Sequence, residues 1–152
     1  MGQQQLLLVI LVTIIVGIAT VVAINIFGTA AEQANKDAIR QDLLAASAQA
    51  QGIWARPIMM GGTGGDFSEG PADQQFSERL GIPGTVDDLV IDNENAEYTI
   101  LRGANILTIT ADPKGSIGTW TMTVERQTTA GQSPWLVTIT DGDGQETILG
   151  NT

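Results

Sequence analysis

The chain has no cysteine and no histidine among its 152 residues. Without cysteine there is neither a disulfide framework nor a thiolate metal site, so a folded part must hold together by packing alone. Without histidine as well, the usual proton shuttle, thiol nucleophile and zinc ligands are missing. Acid–base work would fall to carboxylates or Tyr98, and no carboxylate pair stands in a recognisably apolar setting. Catalysis is not expected. Basic residues are scarce, 7 against 17 acidic ones, for a net charge of −10. Nucleic-acid phosphates are neutralised by Lys and Arg, and anionic lipid surfaces attract the same cations, so neither is an expected partner. The glycine-rich run MMGGTGGDFSEGP contains neither GxxxxGK[ST] nor a strand-linked GxGxxG. No bound phosphate and no cofactor is expected, and N-x-[ST] is absent too.

Charge is also missing from the whole N-terminal stretch, where the first charged side chain is Glu32. Leu6 to Ile24 is apolar except for Thr13, Gly17 and Thr20. At ~1.5 Å per residue this run spans about 28 Å as a helix, close to the ~30 Å thickness of a bilayer core. Three readings compete. A secretory signal needs a basic n-region and a shorter apolar core, yet MGQQQ carries no Lys or Arg. A plain signal anchor uses flanking cations to orient itself, and the nearest are Lys36 and Arg40. The third reading is that a basic leader preceded this sequence and was removed.

The helical pattern continues past the apolar run. FGTAAEQANKDAIRQDLLAASAQAQGIW is rich in Ala, Gln, Leu and Glu, and no proline occurs before Pro57. Ile39, Leu43, Ala46, Ala50 and Ile53 recur at helical spacing as a narrow apolar stripe. One helix is expected over residues 1–54, with 1–27 a hydrophobic core or membrane segment and 28–54 amphipathic. Gly17, among β-branched neighbours, is its expected weak point, since Gly costs ~1 kcal/mol relative to Ala inside a helix.

From MGQQQLLLVILVTIIVGIATVVAINIF and the Ala-rich stripe to Trp54, the chain resembles the type IV pilin family. The resemblance covers the first third specifically and the remainder by architecture. It implies a leader removed by prepilin peptidase, either before Met1 or after Gly2, and a subunit first held in the cytoplasmic membrane. Pilus assembly machinery and further copies of the same chain are the implied partners, and an extracellular surface filament for adhesion or motility is the implied product. Leu6, Leu7, Val9, Ile10, Ile14 and Ile18 are then the filament-core residues, with Met1 and Gln5 forming a polar contact at the N-terminus. Two departures stand out. Gln5 occupies the place of the family glutamate and cannot supply its charge, and the mid-helix proline is absent. The alternatives are a pseudopilin-like component of a secretion system and a single-pass anchor carrying a binding head.

Residues 55–87 read as a Gly/Pro-rich connection containing one short helix, PADQQFSERLG, with Asp73 early and Gly81 just past its end. From residue 88 to 152 the period becomes two, as in an antiparallel sheet with one covered face. Trp120, Met122 and Val124, with Trp135, Val137 and Ile139, alternate against threonines. Together with Ile53 and Trp54 they form the expected head core. The fold class is therefore α+β, a long helix whose C-terminal half packs on a small antiparallel sheet of about four strands. Asp141, Asp143 and Glu146 in DGDGQE resemble the start of a calcium loop, but the chain ends before a twelve-residue ligand set is complete. A tight turn is the expectation there, with these three as weak metal candidates. Asp87, Asp88, Asp92, Glu94 and Glu97 read as a solvated acidic loop.

Overall fold

The computed structural model describes residues 2–115 and 117–150. The chain is α+β, a helix α1 over Gly2–Ala55 followed by a short helix and an antiparallel sheet. It divides into two compact units, Met1–Lys36 and Asp37–Thr152.

The first unit is α1 alone. Its backbone polar groups are satisfied along the helix, and its hydroxyls are absorbed the same way. Thr13 Oγ1 donates to Ile10 O at 2.8 Å, Thr20 Oγ1 to Val16 O at 2.8 Å, and Thr29 Oγ1 to Ile26 O at 3.0 Å. The helix runs unbroken through Gly17, and a Cβ there would meet nothing within 4 Å.

In the second unit, α1 from Asp37 onward lies against the sheet and buries Ile39, Leu43, Ala46, Ser47, Ala50 and Ile53. The buried positions 46, 47 and 50 are small residues. The sheet is a meander in chain order, β1 Thr85–Asp87, β2 Val90–Asp92, β3 Ala96–Arg102, β4 Ile106–Pro113, β5 Trp120–Arg126, β6 Trp135–Thr140 and β7 Glu146–Leu149. Its covered face is Tyr98, Ile100, Leu107, Ile109, Trp120, Met122, Val124, Val137 and Ile139. Burying each large side chain contributes roughly 1.5–3 kcal/mol before conformational entropy is counted. The β4–β5 loop and the β6–β7 turn meet backbone to backbone at Gly118 and Gly142, where a Cβ on either would strike the other's carbonyl oxygen.

Several expectations need correction. The sheet has seven strands and starts at Thr85, inside the presumed connection. β1 is three residues long, too short to show a period, and turns into β2 through Asp88 at φ 57°. Trp54 and Trp135 lie at the margin of the core, half-buried, where α1 ends at Ala55 and the connection covers them only in part, with Phe67 against Trp135 at 6.2 Å between ring centroids. They meet edge to face at 5.2 Å, with the Arg126 guanidinium over both rings. Phe67 and Phe76, from the connection and from the short helix α2 (Asp73–Arg79), are fully buried instead.

Polar contacts tie α1 to the sheet at Arg40, whose Nη2 donates to Thr147 Oγ1 at 3.1 Å, and at a cluster around Asp42. Tyr98 Oη donates to Asp42 Oδ2 at 2.8 Å, and Asn93 Nδ2 donates to the same oxygen at 3.2 Å and to Pro83 O at 3.0 Å. Burial first, and then the Asp42 carboxylate, push the Tyr98 phenol well above its ordinary value. Folding therefore favours the neutral phenol. That stabilisation is complete below the ordinary tyrosine pKa of about 10 and is lost as pH climbs from there toward the raised value. Tyr98 is the sole tyrosine, so phenolate absorbance reports it directly. Ionisation is expected to coincide with unfolding rather than precede it. Tyr98→Phe should flatten the fall in denaturation midpoint between about pH 10 and pH 12.

Candidate functional site

Two surfaces stand out. The first is the uncharged part of α1. Leu7 is 66 % exposed and Ile14 54 %, and Leu6, Val9, Ile10 and Ile18 are exposed to similar degrees. Leu7, Ile10, Ile14 and Ile18 share one side at helical spacing, while Leu6 and Val9 lie on others. Leu8, Leu11, Val12, Ile15, Val16, Val21, Val22, Ile24, Ile26 and Phe27 complete a surface that is apolar all round. The six residues singled out from the sequence are thus part of a larger set that no single stripe describes. A helix apolar on every side belongs inside a membrane or inside protein, and a patch of this extent marks an interaction surface. The helix is long and apolar enough to cross a membrane, which is compatible with membrane anchoring. Its first turn carries no acidic residue, so the positive end of the helix dipole is left uncompensated by side-chain charge. Gln5 is in that region, and Met1 lies outside the described residues.

The second surface is built by the connection. Pro57 ends α1, and a single 3₁₀ turn, Ile58–Met60, follows. All three of its side chains are exposed, Met59 at 99 %. Backbone bonds pin the loop to the helix end, with Thr63 N donating to Ile53 O at 3.0 Å and Gly65 N to Trp54 O at 2.9 Å. Arg102 holds the rest. Its side chain is only 8 % exposed and pairs with Asp73. Nε donates to Phe67 O at 2.7 Å, Nη1 to Pro71 O at 3.2 Å and Nη2 to Glu69 O at 2.6 Å. The guanidinium also covers the Phe76 ring at 4.3 Å. Nearby, Ser68 donates its hydroxyl and its amide to Asp66, holding that carboxyl below its usual value. A segment rich in glycine is thereby made into a fixed surface.

The weak metal candidates are placed otherwise. Asp141 Oδ1 accepts the amides of Asp143 at 3.1 Å and Gln145 at 2.8 Å, closing a tight turn with Gly144 at φ 80°. Glu146 begins β7 opposite Thr140. Among the described residues no group of three acidic side chains is arranged to hold a metal ion. The acidic residues at 92 and 97 belong to strands, where Asp92 faces Glu97 and Glu97 faces Asp112 across β2, β3 and β4.

Sequence reasoning missed Arg102, the Asp42–Tyr98–Asn93 cluster and the exposed turn. For the turn a signal existed, since three large apolar residues follow Pro57 and precede a glycine pair. No family model, no curated protein and no solved structure matches the chain.

Replacing Arg102 by Met keeps its bulk and removes five donors, leaving three carbonyls and Asp73 to find water. A loss of about 2–4 kcal/mol is expected. Hydrogen exchange should show the loss concentrated in residues 61–73, with β4 to β6 protected nearly as before.

Proposed function

We propose that this chain is the structural subunit of an extracellular type IV pilus-like helical filament. The observation that carries the reading is the charge-free surface of α1, apolar on all sides and continuous in sequence with the amphipathic stretch that seats on the sheet. Lipid satisfies such a surface before assembly, and equivalent helices satisfy it afterwards. Exchange between the two is nearly neutral in apolar area, because lipid tails and Leu side chains are alike. Close packing, polar contacts of Gln3 to Gln5, and contacts between heads must therefore supply the preference for the polymer. One heterologous contact repeated without closure generates a helical fibre.

On this reading the role is structural rather than catalytic. Prepilin peptidase and a pilus assembly machine are the partners before polymerisation, and adhesion or motility is the use afterwards. Gln5 supplies hydrogen bonds where charge neutralisation would otherwise serve, so N-terminal contacts of the polymer depend little on ionic strength.

Leu7→Asp and Ile14→Asp test the reading. A carboxylate in a helix centre costs about 2.5–3.5 kcal/mol on insertion scales, which the remaining apolar residues tolerate in lipid. Each variant is expected to remain in the membrane fraction with a folded head and to yield no fibres in sheared surface material. Fibres at normal abundance, or a wild-type protein found only as a single detergent-bound copy, would sink the filament reading.

A further inference from the structure

The described cations are nearly all engaged. Lys114 pairs with Asp92 and Arg102 with Asp73. Arg126 lies over Trp54 and Trp135, and Arg40 donates to Thr147. The guanidiniums of Arg56 and Arg79 have no ion pair or hydrogen bond among the described residues, and both residues are exposed. They flank the same feature. Arg56 immediately precedes the Pro57–Met60 turn, and the Arg79 guanidinium lies against Gly61, the next residue after Met60. The result is an apolar knob, Ile58 to Met60, between two unpaired guanidiniums on a chain of net charge −10.

A complementary surface lies elsewhere on the same head. Asp92, Glu97 and Asp112 stand directly opposite one another on three neighbouring strands, all exposed, with one lysine, Lys114, beside them. Like charges placed opposite each other destabilise a sheet, so the row costs the isolated subunit stability. Beside it is an open depression of about 550 Å³, lined in part by Pro83, Gly84, Asp92 and Glu94. No residue of this surface belongs to the knob.

We propose that the knob of one copy docks onto the acidic row and depression of a second copy. Met59 enters the depression, while Arg56 and Arg79 neutralise the carboxylates that face one another across β2 to β4. The occupant follows from charge complementarity, because the chain itself carries both the two unpaired guanidiniums and an acidic row of which Lys114 pairs only the Asp92 end. Two different patches meeting make a heterologous contact, which propagates wherever the rotation between copies does not close a ring. The inference rests on the filament reading for its setting and gives that polymer the contact between heads it requires.

The absence of cysteine makes the contact directly testable in the full chain. Met59→Cys combined with Glu94→Cys places one thiol on each surface, both at exposed positions. Mild oxidation of sheared filaments, and of the detergent-solubilised full chain, should give a ladder of covalent trimers and higher multimers. Either single variant should stop at dimers. Adding Arg56→Glu with Arg79→Glu should reduce the ladder by about tenfold or more, because like charges then meet at the contact. Further replacing Asp92→Lys and Glu97→Lys should restore it. Tryptophan fluorescence verifies that each variant is folded. Filaments that form without a ladder would overturn the docking and leave the filament reading standing. A ladder in detergent with no filaments from the unsubstituted chain would do the reverse. Adducts of the Met59→Cys thiol with other envelope proteins, and none with a second copy, would also overturn the docking.

Discussion

A helix with no charge through its first thirty-one positions has no side that water can hold. Beyond the glutamines of its first turn, its backbone closes on itself and its threonines bond back to the preceding turn, so the polar groups of the apolar run make little demand on the surroundings. What remains is a cylinder of Leu, Ile and Val side chains, exposed in the isolated chain on every side. The requirement this creates is geometrical as well as energetic. A stripe can be covered by one neighbour, whereas a cylinder needs a continuous medium or a ring of partners.

The same helix changes its solvent where the second unit begins. From Asp37 on, apolar residues retreat to one side and find a permanent partner in the inner face of the sheet. Their identities show how the seat is made, with large side chains at 39, 43 and 53 and alanines at 46 and 50, all of them buried. Polar atoms then fix what apolar contact leaves loose. Arg102 fastens a glycine-rich loop by its carbonyls, and Asp42 gathers Tyr98 and Asn93. The head thereby has a buried core of its own, while the N-terminal stretch has none.

Periodicity made most of this visible in the primary structure. The apolar run, the stripe from Ile39 to Ile53 and the alternation through β4, β5 and β6 are long enough for burial to impose a repeat, and there the elements stand where the pattern put them. β1 and β7 escaped because three or four residues cannot display a period, and their pairing is decided by turns at Asp88 and Gly144. Trp54 and Trp135 have the composition of core residues, but coverage depends on where the helix stops. Of the candidate surfaces, the apolar helix was legible throughout, while the loop showed only in the apolar run after Pro57 and its fixing by Arg102 not at all. Arg102 acts through carbonyls of residues about thirty positions away, and no local pattern encodes such a contact.

The seat of α1 on the sheet repeats every three or four residues, so a slide of one helical turn, about 5.4 Å, would bring apolar side chains back over apolar side chains. Friction of that kind alone is weak against tension along the helix axis. The Asp42 carboxylate changes the profile, because any slide strips it from the Tyr98 hydroxyl and the Asn93 amide while these are still shielded from water. Stretching would then proceed in discrete jumps, each held back by the rupture of a short polar bond. A greasy bearing becomes an indexed joint, pinned at Asp42 and again where Arg40 reaches Thr147.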